Sequence, residues 1–108
     1  MSFTIKKGDT SPFLVATLND STGTALDLTG ASVVFNMGDL DGNSVVSDGS
    51  CTIIGEETGR VRYGWVAADT ANAGIFRGEF TVTFASGRIE TFPNSTTIRI
   101  RIKDDVGS

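Results

Sequence analysis

Thr96-Thr97-Ile98-Arg99-Ile100-Arg101-Ile102-Lys103 decides how this chain is read. Ile98, Ile100 and Ile102 fall on one parity, Arg99, Arg101 and Lys103 on the other. Successive side chains of a β-strand point to opposite faces, so the segment predicts a strand with one apolar and one wet side. A helix would scatter the three isoleucines around its axis. The same beat recurs in Arg60-Val61-Arg62-Tyr63 and from Phe76 to Phe84. Its inward set there is Phe76, Gly78, Phe80, Val82 and Phe84, and its outward set is Arg77, Glu79, Thr81 and Thr83. Leu14, Ala16 and Leu18, then Val33, Phe35 and Met37, then Val61, Tyr63 and Trp65 form further inward sets.

Outward from these segments, turn signals recur about every ten residues: Gly8-Asp9, Asn19 to Gly23, Thr29-Gly30, Asp41-Gly42, Asp48-Gly49, Gly74, Ser86-Gly87 and Pro93-Asn94. That spacing marks a sandwich or barrel of short strands. The predicted strands are 2–6, 12–19, 31–38, 43–47, 50–54, 59–66, 75–84, 88–93 and 96–103. Ala85-Ser86-Gly87 reads as a tight hairpin in which Gly87 takes a positive φ. One helical turn is expected over Ala67 to Ala73, with Asp69-Thr70 to cap it and Gly74 to end it. Val, Ile and Thr number 31 against 13 for Leu plus Ala, a balance that favours pleated surfaces over helices. No linker or internal repeat divides the 108 residues, so one domain spans 1–108, and a chain of this size buries roughly two thirds of its unfolded surface.

The chemistry-bearing residues are few. There is no histidine, which removes the usual general base, the usual zinc ligand and every Ser-His or Cys-His pair. Glu56-Glu57, Asp104-Asp105 and Asp9 fall in loops or at ends, and Glu79 and Glu90 on outward positions, where carboxylates solubilise. No enzyme is expected, and no cofactor. Cys51 is the only cysteine, so no intrachain disulfide forms, and Ser50-Cys51-Thr52-Ile53-Ile54 reads as a buried, inert thiol. Asp39-Leu40-Asp41-Gly42-Asn43 offers oxygens at calcium-loop positions 1, 3 and 5, but glycine stands at position 4 and Ser50 at position 12. A hairpin turn is the reading adopted there, and no metal is expected. Tyr63 and Trp65 share a period with Val61 and are assigned to the core; exposed, they would offer rings to a sugar or a base.

Net charge is −4, unevenly spread: residues 1–57 hold 2 basic and 8 acidic side chains, residues 58–108 hold 7 and 5. The basic residues interleave with Glu79 and Glu90 on outward positions rather than forming a basic surface with aromatic platforms, so no nucleic acid is expected. No apolar run reaches membrane-spanning length and no signal peptide opens the chain, so synthesis in a cytoplasm, solubility and no membrane insertion are expected.

The chain resembles the N-terminal immunoglobulin-like domain of bacteriophage baseplate upper proteins and its small stand-alone relatives in tailed phages. The matching stretches are Lys7-Gly8-Asp9-Thr10-Ser11-Pro12, Asp27-Leu28-Thr29-Gly30-Ala31 with Val33 and Phe35, and Gly59 with Val61-Arg62-Tyr63-Gly64-Trp65. Asp69-Thr70, Ala73-Gly74-Ile75-Phe76, Gly78-Glu79-Phe80, Thr91-Phe92-Pro93-Asn94 and the Ile98, Ile100, Ile102 strand continue the match. They run from about residue 3 to residue 105, and their order and spacing are more specific than any one of them. The resemblance implies an all-β, immunoglobulin-like antiparallel β-sandwich with at most one short helical turn. It implies a virion structural or accessory protein of tail, baseplate or neck, with capsid decoration or host-surface carbohydrate binding as alternatives. Its partners would be other phage virion proteins and further copies of itself, and its location the virion, after synthesis in the host bacterial cytoplasm. No helical or receptor-organising region follows Asp105, which points to a free-standing accessory role. Two contact surfaces are expected: outward strand faces bearing Arg60, Arg62, Arg99, Arg101 and Lys103, and a loop end bearing Phe92, Pro93 and Asn94.

Overall fold

Alternation along each strand sorts the side chains between two sheets, and the apolar parities meet between them. In the computed structural model, residues 2–93 and 97–104 are described. Asn94, Thr96 and Asp105, which enter the readings above, lie outside that set. The elements are β1 (Ser2–Lys6), β2 (Leu14–Thr17), β3 (Ser32–Asp39), β4 (Ser44–Ser50), β5 (Thr52–Gly55) and β6 (Arg60–Tyr63), a 3-10 turn (Ala67–Thr70), then β7 (Gly74–Thr83), β8 (Ile89–Phe92) and β9 (Ile98–Lys103). The larger sheet runs β1-β9-β7-β3-β4, with β8 beside the second half of β7; the smaller runs β2-β6-β5. The fold is an immunoglobulin-like β-sandwich.

One pairing departs from the antiparallel expectation. β1 lies parallel to β9, with Ser2 opposite Arg99 and Lys6 opposite Lys103. Parallel neighbours cannot be joined by a tight hairpin. Here the connection is the whole domain, so the first and last strands meet side by side without strain. The other strand pairs among the described residues are antiparallel.

The ladders stop short of two predicted strands, 12–19 and 59–66, and at one of the shared ends stands Gly59. Its φ is +67°, and the Leu18 carbonyl occupies the space a Cβ would need. The Leu18 N–H donates to Gly59 O at 2.8 Å and the Leu26 N–H to Leu18 O at 2.9 Å, so the backbone groups of Leu18 stay paired just past the ladder. β4 runs longer than predicted, through a bulge in which Asp48 has φ +51° and its N–H donates to Asn36 Oδ1 at 2.8 Å. Past the bulge the chain crosses at Cys51 from the large sheet into β5 of the small one.

Phe35, Phe80 and Val82 from the large sheet and Leu14, Ala16, Val61 and Tyr63 from the small one fill the interior, and Ile98, Ile100 and Ile102 close it beneath β9. Phe35 is fully buried and packs at ring-centroid distances of 4.8 Å from Tyr63, 5.2 Å from Phe80 and 5.7 Å from Trp65. Gly78 makes this possible: a Cβ there would stand 2.7 Å from the Phe35 ring.

Phe80→Ala is expected to destabilise the fold by about 3–5 kcal/mol, because it empties a fully buried ring site between the sheets. Thr81→Ala, on the opposite face of the same strand, should cost under about 1 kcal/mol. Urea denaturation of the pair checks the facing; near-equal losses would reverse it.

Candidate protein interface

The five basic residues expected to form a docking surface divide between opposite faces. Arg60 and Arg62 lie on β6, on the outer face of the small sheet; Arg99, Arg101 and Lys103 lie on β9, on the outer face of the large one. Alternation places each of them outward, but the two sheets turn their outer faces in opposite directions. A single patch holding all five does not exist. On the small sheet, the Arg62 guanidinium lies 4.6 Å from the centroid of the Phe13 ring, a cation–π contact that engages it within its own surface. Phe13, Val15 and Ile54 are exposed large apolar side chains around it.

The large-sheet face is different. Arg99, Arg101 and Lys103 are exposed, with exposed Arg77 directly opposite Arg99 on β7 and exposed Lys6 directly opposite Lys103 on β1. Read in sequence, Arg77 and Lys6 are only outward or terminal residues. The pairing partners, set by long-range topology, bring them into the row.

At the loop end, Phe92 is 2 % exposed and sits opposite Phe80 in the β7–β8 ladder. It is a core residue and offers no docking surface. Pro93 is half-buried on the lining of a cleft of about 510 Å3, together with Leu18, Asp20, Phe80 and Ile98. Asn94 lies outside the described residues.

The remaining polar side chains hold the fold. Asp39 Oδ1 accepts from the N–H groups of Asp41 and Asn43, both at 2.9 Å, and Oδ2 accepts from Asn43 Nδ2 at 3.0 Å. Both oxygens thus brace the β3–β4 hairpin, and these bonds hold the Asp39 carboxyl below its ordinary range. Asp27 Oδ1 accepts from both the N–H and the hydroxyl of Thr29, fixing the turn into β3. Among the described residues, no group of three or more His, Cys, Asp or Glu stands close enough to share a metal ion.

Asp69, read in sequence as a cap, is also a buried anchor at 7 % exposure. Its Oδ2 accepts from the Tyr63 hydroxyl at 2.6 Å and from the Val66 N–H at 3.0 Å, joining β6 to the 3-10 turn, which is shorter than expected and ends at Thr70. The Thr70 hydroxyl donates to Asp9 O at 2.9 Å and pins the loop after β1. Burial, and then the bond to the Asp69 carboxylate, push the Tyr63 phenol well above its ordinary value; burial alone pushes the Cys51 thiol up to about 12. Trp65 is 4 % exposed and stacks on Phe3 at 5.6 Å, so neither it nor Tyr63 turns a ring face to solvent. The version of carbohydrate binding that used these rings loses its platform.

Among solved structures, the crystal structure of CopC from Methylosinus trichosporium OB3b matches with a TM-score of 0.56 over 97% of this chain and 86% of that chain. Sequence identity is 10%, so the likeness shows a shared fold. No protein-family model matches the sequence, and no curated protein does.

Tyr63→Phe should cost about 1–3 kcal/mol, since it leaves a buried carboxylate with one donor fewer. The fold favours the neutral forms of Tyr63 and Cys51, both weaker acids folded than unfolded. Their contribution is therefore complete below about pH 9 and is lost as pH rises through the alkaline range. Urea midpoints measured from about pH 7 to about pH 11 should fall above about pH 9, with a shallower slope above about pH 10 in Tyr63→Phe. An unchanged slope in the variant would remove Tyr63 from the account.

Proposed function

We propose that this protein is a non-enzymatic structural component of a tailed-bacteriophage virion, in tail, baseplate or neck, working through protein–protein contacts. The phage assignment rests on the ordered stretches from Lys7 to the Ile98 strand. Several of these are the residues that fix turns and core here: Asp27 and Thr29, Tyr63 and Trp65, Asp69 and Thr70. The observation that carries the docking role is the row of exposed cations on β9, framed by a rigid sheet in a chain whose net charge is −4. A preformed sheet face presents these groups without the ordering cost that a flexible loop would incur. Such a field steers a partner of opposite sign and loses pull as salt screens it.

Mass spectrometry of purified virions, and of heads and tails separated from them, tests the assignment. The chain is expected in particles at a fixed ratio to known tail proteins. Abundance in the infected-cell lysate with absence from particles would overturn it. Arg99→Glu with Arg101→Glu should lower the copy number per particle while leaving the melting temperature within about 4–8 °C; normal incorporation would exclude this face from docking.

A further inference from the structure

The outer face of β9 carries more like charge than the sheet needs. Arg77 stands directly opposite Arg99, and Lys6 directly opposite Lys103. Like charges directly opposite one another in a sheet are destabilising. Lysines on edge strands guard against unwanted pairing, which accounts for Lys6 on β1. They do not account for Arg77, Arg99 and Arg101, because β7 and β9 are interior strands of the sheet. Among the described residues no ion pair neutralises these arginines, although the chain has 13 carboxylate side chains. Glu79 shares a neighbouring depression with Arg77, and Asp104 one with Arg101 and Lys103, but neither forms an ion pair with them among the described residues.

The surface beneath the cations is grooved. One depression of about 670 Å3 is lined by Leu40, Ile75, Arg77 and Arg99, and a second of about 440 Å3 by Ile75, Arg101, Lys103 and, at its end, Asp104. They share Ile75, so the groove follows β9 along its boundary with β7. Its exposed apolar lining is aliphatic, with Leu40 57% exposed, while the Phe76 ring that also lines it is buried.

We infer that this groove binds an extended acidic segment of a partner protein, with carboxylates at alternate positions facing Arg99, Arg101 and Lys103 and an aliphatic side chain against Leu40 and Ile75. Alternate residues of an extended chain are about 6.8 Å apart, the same repeat that spaces the three cations along β9. A bidentate guanidinium–carboxylate pair suits both arginines. Nucleic acid fits less well. Base stacking wants exposed aromatic rings, and the exposed ring among the described residues, Phe13, belongs to the other sheet. A long polyanion would also meet the acidic remainder of the chain, whereas a short segment senses the groove within a Debye length of about 10 Å. The inference deepens the docking reading and rests on it, yet the two fail separately. The particle search asks where the protein goes, and a titration of the isolated chain asks what this face binds.

Fluorescence anisotropy provides the test, with a labelled peptide in which glutamate and threonine alternate. Beside it run the block isomer, all its glutamates first and all its threonines after, and an oligothymidylate of the same length. At low salt the alternating peptide is expected to bind tightest, and to weaken as salt is raised. Arg99→Glu with Arg101→Glu should weaken it at least about tenfold, and Arg60→Glu with Arg62→Glu on the opposite face less than about twofold. If the first pair melts early, Arg77→Gln with Arg101→Gln asks the same question with a smaller change of charge. Equal loss from both faces, equal binding of the block isomer, or tighter binding of the oligonucleotide would each overturn the inference.

Discussion

Phe35 is the joint on which the two sheets meet. It belongs to β3 in the large sheet, and its ring rests against Tyr63 of β6 and against Trp65 just beyond, both on the small-sheet side. Aromatic contacts of this kind add geometry to area: rings prefer tilted or edge-on approaches, and so fix how one sheet sits on the other. The site exists because Gly78, across the ladder from Met37, leaves the ring its space. Tyr63 then carries the constraint outward. Its hydroxyl reaches Asp69, Asp69 holds the Val66 N–H, and Thr70 holds the loop after β1. One apolar contact and three hydrogen bonds thus connect mid-core to the end of the sandwich where β1 and β9 finish.

Period-two alternation was enough to sort faces. The inward sets around Leu14, Phe35, Val61 and Phe80 are buried as read, except that Phe84, just past the end of β7, is only half-buried, and Ile98, Ile100 and Ile102 are among the most buried of the described residues. Alternation says which way a side chain points relative to its own strand. It does not say which strand lies beside it or which sheet holds it. The parallel β1–β9 pair and the separation of Arg60 and Arg62 from Arg99 and Arg101 therefore lay beyond reach, since both follow from pairings across most of the chain. Phe92 is another matter. The hairpin at Ala85-Ser86-Gly87 pairs Phe84 with Arg88, and counting back along that register puts Phe92 opposite Phe80. Turn and register together held the signal; reading Phe92 with Pro93 as loop residues concealed it.

The carboxylates divide in a way composition could not show. Asp20, Asp27 and Asp39 each accept hydrogen bonds from neighbouring backbone and side-chain donors, and these bonds favour their ionised forms. Asp69 accepts the Tyr63 hydroxyl and the Val66 N–H in the interior. They behave as turn and anchor residues, and their number made the chain acidic without making any surface of it a site. Among the described residues, the basic side chains have no such local engagements apart from Arg62 on Phe13. Net charge accordingly misleads about this protein's surface: part of the negative charge is engaged in turns and at the Asp69 anchor, while Arg99, Arg101 and Lys103 stand exposed along one sheet face.

That asymmetry bears on how such a domain could be held in an assembly. The molecule is elongated, with principal extents of 47, 26 and 22 Å, so its long sheet faces outweigh its loop ends as contact area. A face built from alternate strand positions can change its cations without disturbing the inward isoleucines, because the two sets share a backbone but no packing. The charge carried by the outer face of β9 is therefore separable from stability at Ile98, Ile100 and Ile102. The loop end lacks this freedom: Phe92, Phe80 and Ile98 line its cleft and the core at once, so altering the cleft alters the fold. A surface that can be tuned without unfolding its owner is the better place for a docking site, and the outer face of β9 meets that condition where the loop end does not.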